Sequence, residues 1–84
     1  ERFRRERRIE GTMLVAIPRG ASRRLRLSAR THDGKPYLEL RMDELDDAGV
    51  WTPTEHGGSI RMHEIRALVA ALTAAEAGHR RDAA

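Results

Sequence analysis

Histidine and acidic side chains are the first candidates for chemistry in this sequence. His63 and Glu64 begin like the zinc-protease pattern HExxH, but Ala67 stands where the second histidine ligand is required. The other histidines have no metal-site spacing, and the chain has no cysteine. The acidic run at 43–47 lacks the ligand spacing and hinge glycine of a calcium loop, so a solvated loop is the better interpretation. With no nucleophile elbow and no Walker loop, the sequence predicts no metal site, no cofactor and no enzymatic activity.

Arginine is the more informative residue type. Fifteen of the sixteen basic residues are arginines, and the net charge is +3. Residues 11–42 hold seven basic and two acidic groups, whereas residues 43–78 hold two basic and seven acidic groups, which predicts one basic and one acidic patch. A GC-rich genome is one explanation for this usage. The other is function, because arginine forks onto phosphate and stacks on bases.

Two alternating runs place the arginines on one face of a hairpin. In residues 23–30 and 37–42, apolar residues alternate with polar ones, which is typical of half-buried strands. The sequence His32-Asp33-Gly34 between them suits a tight turn. The predicted hairpin has an apolar underside and a solvent face that carries Arg24, Arg26, Arg30, Tyr37 and Arg41.

Such a face can track phosphates and offer a base a stacking surface. The alternative is a solvated sheet face that keeps the protein soluble. Trp51 could stack on a base, but burial in a core or interface is favoured for a lone tryptophan. Gly57-Gly58 would let the backbone approach a phosphate, or would form a plain turn.

The remaining segments complete an α+β unit. A strand over 12–17 stops at Pro18, an extended piece covers 50–53, and residues 59–62 could form a further strand. Residues 63–77 are helical with an apolar stripe, and Gly78 is a natural C′ residue. The sequence predicts a curved antiparallel four-stranded sheet followed by one C-terminal amphipathic helix.

Chain length and composition predict a dimer. We expect a basic flexible arm over 1–10, one domain over 11–78 and a polar tail over 79–84. A chain of this size with three aromatic residues has a thin core, so a second copy should complete the burial. No run approaches 18 consecutive apolar residues, so no membrane span is expected. The predicted dimer interface is the helix stripe of Ile65, Leu68, Val69 and Leu72.

From residue 17 to residue 72 the chain resembles the transcriptional coactivator family called positive cofactor four. The matching segments are IPRG, RLRLSAR, DGKPYLELR and GVWTPTEHGGSI, followed by a helix. The resemblance implies a curved four-stranded sheet followed by a helix, a dimer formed through helices and sheets, and binding of single-stranded DNA across the concave sheet faces. Arg30, Lys35 and Arg41 match the family pattern, and His56 occupies one of its two basic loop positions.

The resemblance implies a homodimeric single-stranded DNA-binding protein that acts as a transcriptional coactivator or regulator, with a possible replication or repair role. Its partners would be single-stranded DNA, a second copy and the transcription machinery, in a cytoplasmic, nucleoid-associated location. Tyr37, Arg24 and Arg26 join the DNA-binding candidates because they lie on the same predicted face. Glu55 departs from the basic loop of the family. The alternative is therefore a protein-interaction or regulatory dimer of the same fold with weak or lost DNA binding.

Overall fold

A computed structural model describes residues 11–83 of the chain, and the predicted arm over 1–10 lies outside the described residues. Within residues 11–83 the elements follow one another as four strands, a single 3₁₀ turn and one helix. Their bounds are β1 Thr12–Pro18, β2 Arg23–His32, β3 Lys35–Leu45, β4 Trp51–Arg61, the 3₁₀ turn Met62–Glu64 and α1 Ile65–Ala83.

The four strands form one antiparallel sheet in the chain order β1-β2-β3-β4. β2 and β3 are joined by the two-residue turn Asp33-Gly34, in which both residues have positive φ, 52° and 77°. Asparagine, aspartate and glycine tolerate this backbone, whose twist matches that of the flanking strands. The predicted sheet and its central hairpin are confirmed.

Two strands are longer than the sequence predicted. Asp43 and Glu44 belong to β3 and pair with Pro53 and Thr52 of β4, so the acidic loop begins only after Leu45. β4 is one continuous strand that includes Gly57 and Gly58, so the plain turn considered there is wrong. Ladder pairing with a neighbour overrides the low strand propensity of aspartate and glycine.

The helix also extends beyond its predicted end. α1 passes through Gly78 and ends at Ala83, so Gly78 is not a C′ residue. The Arg80 guanidinium contacts the Glu76 carboxylate at 3.2 Å, an i,i+4 pair that bridges the glycine. At the other end, the Glu64 carboxylate accepts a hydrogen bond from the backbone N–H of Arg61 at 2.8 Å, which caps the 3₁₀ turn.

Apolar packing within one chain is sparse. No hydrophobic side chain among residues 11–82 is fully buried. The apolar face of the sheet is half-buried at best, and α1 makes its main contacts with the 3₁₀ turn rather than the sheet. In the part of the chain described, no helix combines the length and apolar character needed to cross a membrane. The exposed large hydrophobic residues lie on β1, on the 3₁₀ turn and on α1: Met13, Leu14, Val15, Ile17, Met62, Leu68, Val69 and Leu72.

Candidate nucleic-acid interface

The strand register brings the predicted arginines onto one face of the sheet. Directly opposed residues of an antiparallel pair lie on the same face. Arg26 opposes Arg41, Arg30 opposes Tyr37 and Arg24 opposes Asp43. Ser28 opposes Glu39 between them, so both carboxylates lie among the arginines. We call this surface the arginine face; it comprises Arg24, Arg26, Ser28, Arg30, Tyr37, Glu39, Arg41 and Asp43.

The centre of the arginine face is buried. Arg26 is 1% exposed, and all three nitrogens of its guanidinium donate hydrogen bonds. They reach Asp43 at 2.7 and 3.1 Å, Ser28 at 2.8 Å and Glu39 at 3.2 Å. The prediction that Arg26 lies on a solvent face is therefore wrong. Alternation assigned its side of the strand correctly, but the carboxylates on that side enclose it in an ion network.

Burial alone would lower the pKa of Arg26, but its hydrogen bonds to Asp43 and Glu39 outweigh this effect and raise the pKa. The reverse holds for the carboxyls. Burial opposes the ionisation of Asp43 and Glu39, yet the arginine hydrogen bonds hold both pKa values below their ordinary range. Arg26, Asp43 and Glu39 are thus all ionised at neutral pH. A charged side chain survives this burial because it is paired and hydrogen-bonded.

Arg24 lies at one end of the network. Its Nε donates to the Asp43 Oδ2 at 2.8 Å, and its guanidinium lies over the Trp51 ring, 4.5 Å from the centroid. Trp51 pairs with Leu45 and is half-exposed in the single chain, so it is not a core residue, and its predicted burial in an interface stays a prediction. Its ring is a platform for a cation.

Arg41 and Arg30 flank the other carboxylate. Glu39 accepts hydrogen bonds from the Arg41 Nε at 2.8 Å and from the Arg30 Nη1 at 3.3 Å, in addition to that from Arg26. Arg41 also donates to the backbone oxygen of Thr54 at 2.8 Å. The side chains of Arg30 and Arg41 are 27% and 26% exposed, so both reach the surface.

An open cleft of about 760 Å³ lies where the β2–β3 turn approaches the 3₁₀ turn. Tyr37 opposes Arg61 of β4 at its wall, and Lys35 opposes His32 at its rim. The cleft therefore combines an aromatic ring with cationic side chains. Its lining residues are His32, Lys35, Pro36, Tyr37, Ser59, Arg61, Met62 and His63.

The other candidate residues lie apart from this group. His56 is exposed within a bulge of β4, where residues 54–56 stand opposite Met42 alone. Gly57 then returns β4 to the ladder so closely that an added Cβ would collide with the Leu40 carbonyl oxygen and lie 2.9 Å from the Arg41 Cα. The absence of a side chain at Gly57 therefore lets β4 pack closely against β3.

The helix stripe of Ile65, Leu68, Val69 and Leu72 lies on α1, with Leu68 to Leu72 exposed.

Sequence reasoning missed the role of Asp43, Glu39 and Trp51 in holding the arginines. The sequence does contain a signal for the carboxylates, since residues 37, 39, 41 and 43 are every second residue of one strand and therefore share a face. The acidic composition after Met42 favours a loop, and this interpretation excluded Asp43 from the strand. For Trp51, the pairing with Leu45 that brings it beside Arg24 depends on the length of the β3–β4 connection, which the sequence pattern left open.

A four-stranded antiparallel meander followed by one C-terminal helix gives the described part of this chain the PC4-like fold that the sequence resemblance implied. The comparison with solved structures finds this architecture in BPSL1147, a PC4 homologue from Burkholderia pseudomallei. Its orthorhombic crystal form matches with a TM-score of 0.76 and 28% identity over 81% of this chain and 92% of that one. The tetragonal form gives 0.74 and 28% over 80% and 98%. No protein-family model and no curated protein matches the sequence.

Proposed function

We propose that this protein is a homodimer that binds single-stranded DNA along the arginine face and acts as a transcriptional coactivator or regulator. The observation that carries the proposal is the continuous surface formed by the arginine face and the cleft. Four arginines against two carboxylates leave an excess of positive charge, and Tyr37 with Lys35 and Arg61 extends it at the cleft. Positive side chains track a phosphate backbone, and an aromatic ring stacks on any base.

The proposed contacts differ in kind. Arg41 has one terminal nitrogen without a hydrogen bond among the described residues, and Arg30 reaches the surface beside it. Both are proposed to contact phosphate. Tyr37 lies in the cleft and is proposed to stack on a base. Lys35 and His56 stay candidates for phosphate contact by their position on the rim and the bulge.

The second copy is proposed to cover the apolar surface that one chain leaves open. Leu68, Val69 and Leu72 are 39%, 55% and 68% exposed on a helix with few sheet contacts. Among the described residues the apolar side chains are at best half-buried, so one chain alone gains little of the hydrophobic free energy that drives folding. Burial of the helix stripe and the apolar sheet face between two chains supplies it.

The experiment is fluorescence anisotropy of labelled oligo-dT titrated with protein over a series of salt concentrations. For single strands, log K falls with log salt by about 0.7 per neutralised phosphate. The double variant Arg30→Ala with Arg41→Ala should therefore flatten the slope by about 1.4 per subunit. Tyr37→Ala should cost about 1–3 kcal/mol of binding free energy with little change of slope.

Arg66→Ala is the matched control, because this arginine is exposed on α1 away from the arginine face. It should bind like the parent. If the double variant keeps the affinity and slope of the parent, Arg30 and Arg41 do not contact DNA. The carboxylates within that face would then favour the alternative, a protein-interaction dimer of the same fold.

A further inference from the structure

The arginines of the ion network differ in how many nitrogens remain for a ligand. Arg26 uses all three, and Arg41 uses two. Within residues 11–83, Arg24 uses only its Nε, so both of its terminal nitrogens are without a hydrogen bond. No buried side-chain nitrogen in the described part lacks a partner, so these two nitrogens reach solvent although the side chain is only 13% exposed.

Arg24 is oriented by two contacts that leave both of its terminal nitrogens available. The buried Asp43 carboxylate accepts a hydrogen bond from its Nε, and its guanidinium carbon lies over the Trp51 ring, 4.5 Å from the centroid. Asp43 is itself fixed by two hydrogen bonds from Arg26. A guanidinium held in this way keeps its outer pair of nitrogens in a fixed fork, the geometry that grips two oxygens of one phosphate. Its side-chain entropy is lost on folding and not on binding.

We infer that Arg24, supported by Asp43 and Trp51, is a preformed clamp for one phosphate of the bound strand, with Asp43 and Trp51 as its positioning residues. The inference rests on the proposed function and adds to it a site that depends on a carboxylate. Asp43 repels DNA as a charge, yet it increases affinity because it orients the clamp. Charge counting alone predicts that removal of the Asp43 charge increases the affinity for DNA.

The first test uses Arg24→Lys, which keeps the charge and removes both the fork and the stacked plane. Affinity for oligo-dT should fall about tenfold, the effect of one lost charge-assisted hydrogen bond. Arg23→Lys is the control, because Arg23 is 63% exposed and pairs only with Glu44 in the described chain. It should bind within twofold of the parent. Arg24→Lys binding as tightly as the parent would overturn the clamp.

The second test is the sign of the Asp43→Asn effect. We expect weaker binding of oligo-dT by about fivefold to tenfold, as for loss of a charge-assisted hydrogen bond, although a negative charge is removed. Glu44→Gln removes the same charge from an adjacent, exposed position and should leave affinity unchanged or raise it. A folded Asp43→Asn that binds as tightly as the parent or more tightly would overturn the role of Asp43. If circular dichroism shows that this variant does not fold, the Arg24→Lys result determines whether the clamp exists.

A third measurement identifies the ligand group. A labelled abasic strand keeps the phosphates and lacks the bases, so the Arg24→Lys penalty should be the same on it as on oligo-dT. A penalty that vanishes on the abasic strand would mean that Arg24 and Trp51 stack on a base, which overturns the phosphate assignment. A parent that fails to bind oligo-dT at low salt refutes the proposed function itself. A binding parent with unchanged variants refutes the clamp alone.

Discussion

Replacing Arg26 by methionine separates a structural role of this arginine from a DNA contact. Methionine keeps an unbranched side chain and removes the guanidinium that contacts Asp43, Glu39 and Ser28. Asp43 and Ser28 are 0% exposed, so water cannot replace the lost donors unless the face opens. Breaking a buried ion pair by removing one partner costs about 3–5 kcal/mol. Arg24 and Arg41 still contact the two carboxylates, so we expect a loss of about 3 kcal/mol.

The assay is urea unfolding followed by circular dichroism at one fixed protein concentration, because association changes the apparent stability. A second variant, Arg26→Met with Asp43→Leu, removes both charges. Apolar replacement of a whole buried pair is often neutral, so it should recover much of the loss. Acidification should also narrow the difference in unfolding free energy between the parent and Arg26→Met, because protonation of Asp43 in the variant removes the charge that Arg26 no longer neutralises.

Two results would contradict this account. If Arg26→Met unfolds at the same urea concentration as the parent at neutral pH, the ion network contributes nothing measurable. If the variant is fully stable and yet loses affinity for oligo-dT, Arg26 is a phosphate contact, as the sequence alone suggested.

Three further predictions use independent features. Leu68→Glu should give monomers or aggregates in light scattering where the parent gives dimers, because it places a charge in the proposed dimer interface. A stable monomeric parent would refute that interface. Gly57→Ala should lose about 1–3 kcal/mol from overlap with β3, whereas Gly58→Ala, where an added Cβ meets nothing within 4 Å, should melt close to the parent. Glu39 and Asp43 have lowered pKa values when folded. Their contribution to stability is therefore complete above the unfolded values, at about pH 5 and higher, and is lost as the pH falls through the folded values. An acid melt of Asp43→Asn with the steepness of the parent curve would contradict this.

The sheet could be predicted because its signals are local. Alternation over β2 and β3 and the Asp33-Gly34 turn determine the hairpin and its register, and the register determines which side chains share a face. The helix stripe follows from spacing in the same way. These features depend on residues that are near one another in the chain.

The interior of the site could not be predicted by the same reasoning. Period two assigns Arg26 to a face but does not say what lies over it, and an arginine is normally taken as exposed. Its burial depends on two carboxylates of β3, one of which stood in a segment whose composition favours a loop. Gly78 shows the same limit, since a helix end depends on whether the following turn is stabilised, here by Glu76 and Arg80.

The outer strand β1 has a consequence for solubility. In the described chain it pairs only with β2, so one row of its backbone groups faces outward between exposed Met13, Leu14, Val15 and Ile17. An apolar strand edge of this kind is a template for adding foreign strands and for aggregation. The register shift between Met13 and Val15 interrupts that row, and Pro18 at its end has no N–H to offer. The register shift and Pro18 thus protect the edge of β1 against the addition of further strands that its apolar side chains would otherwise promote.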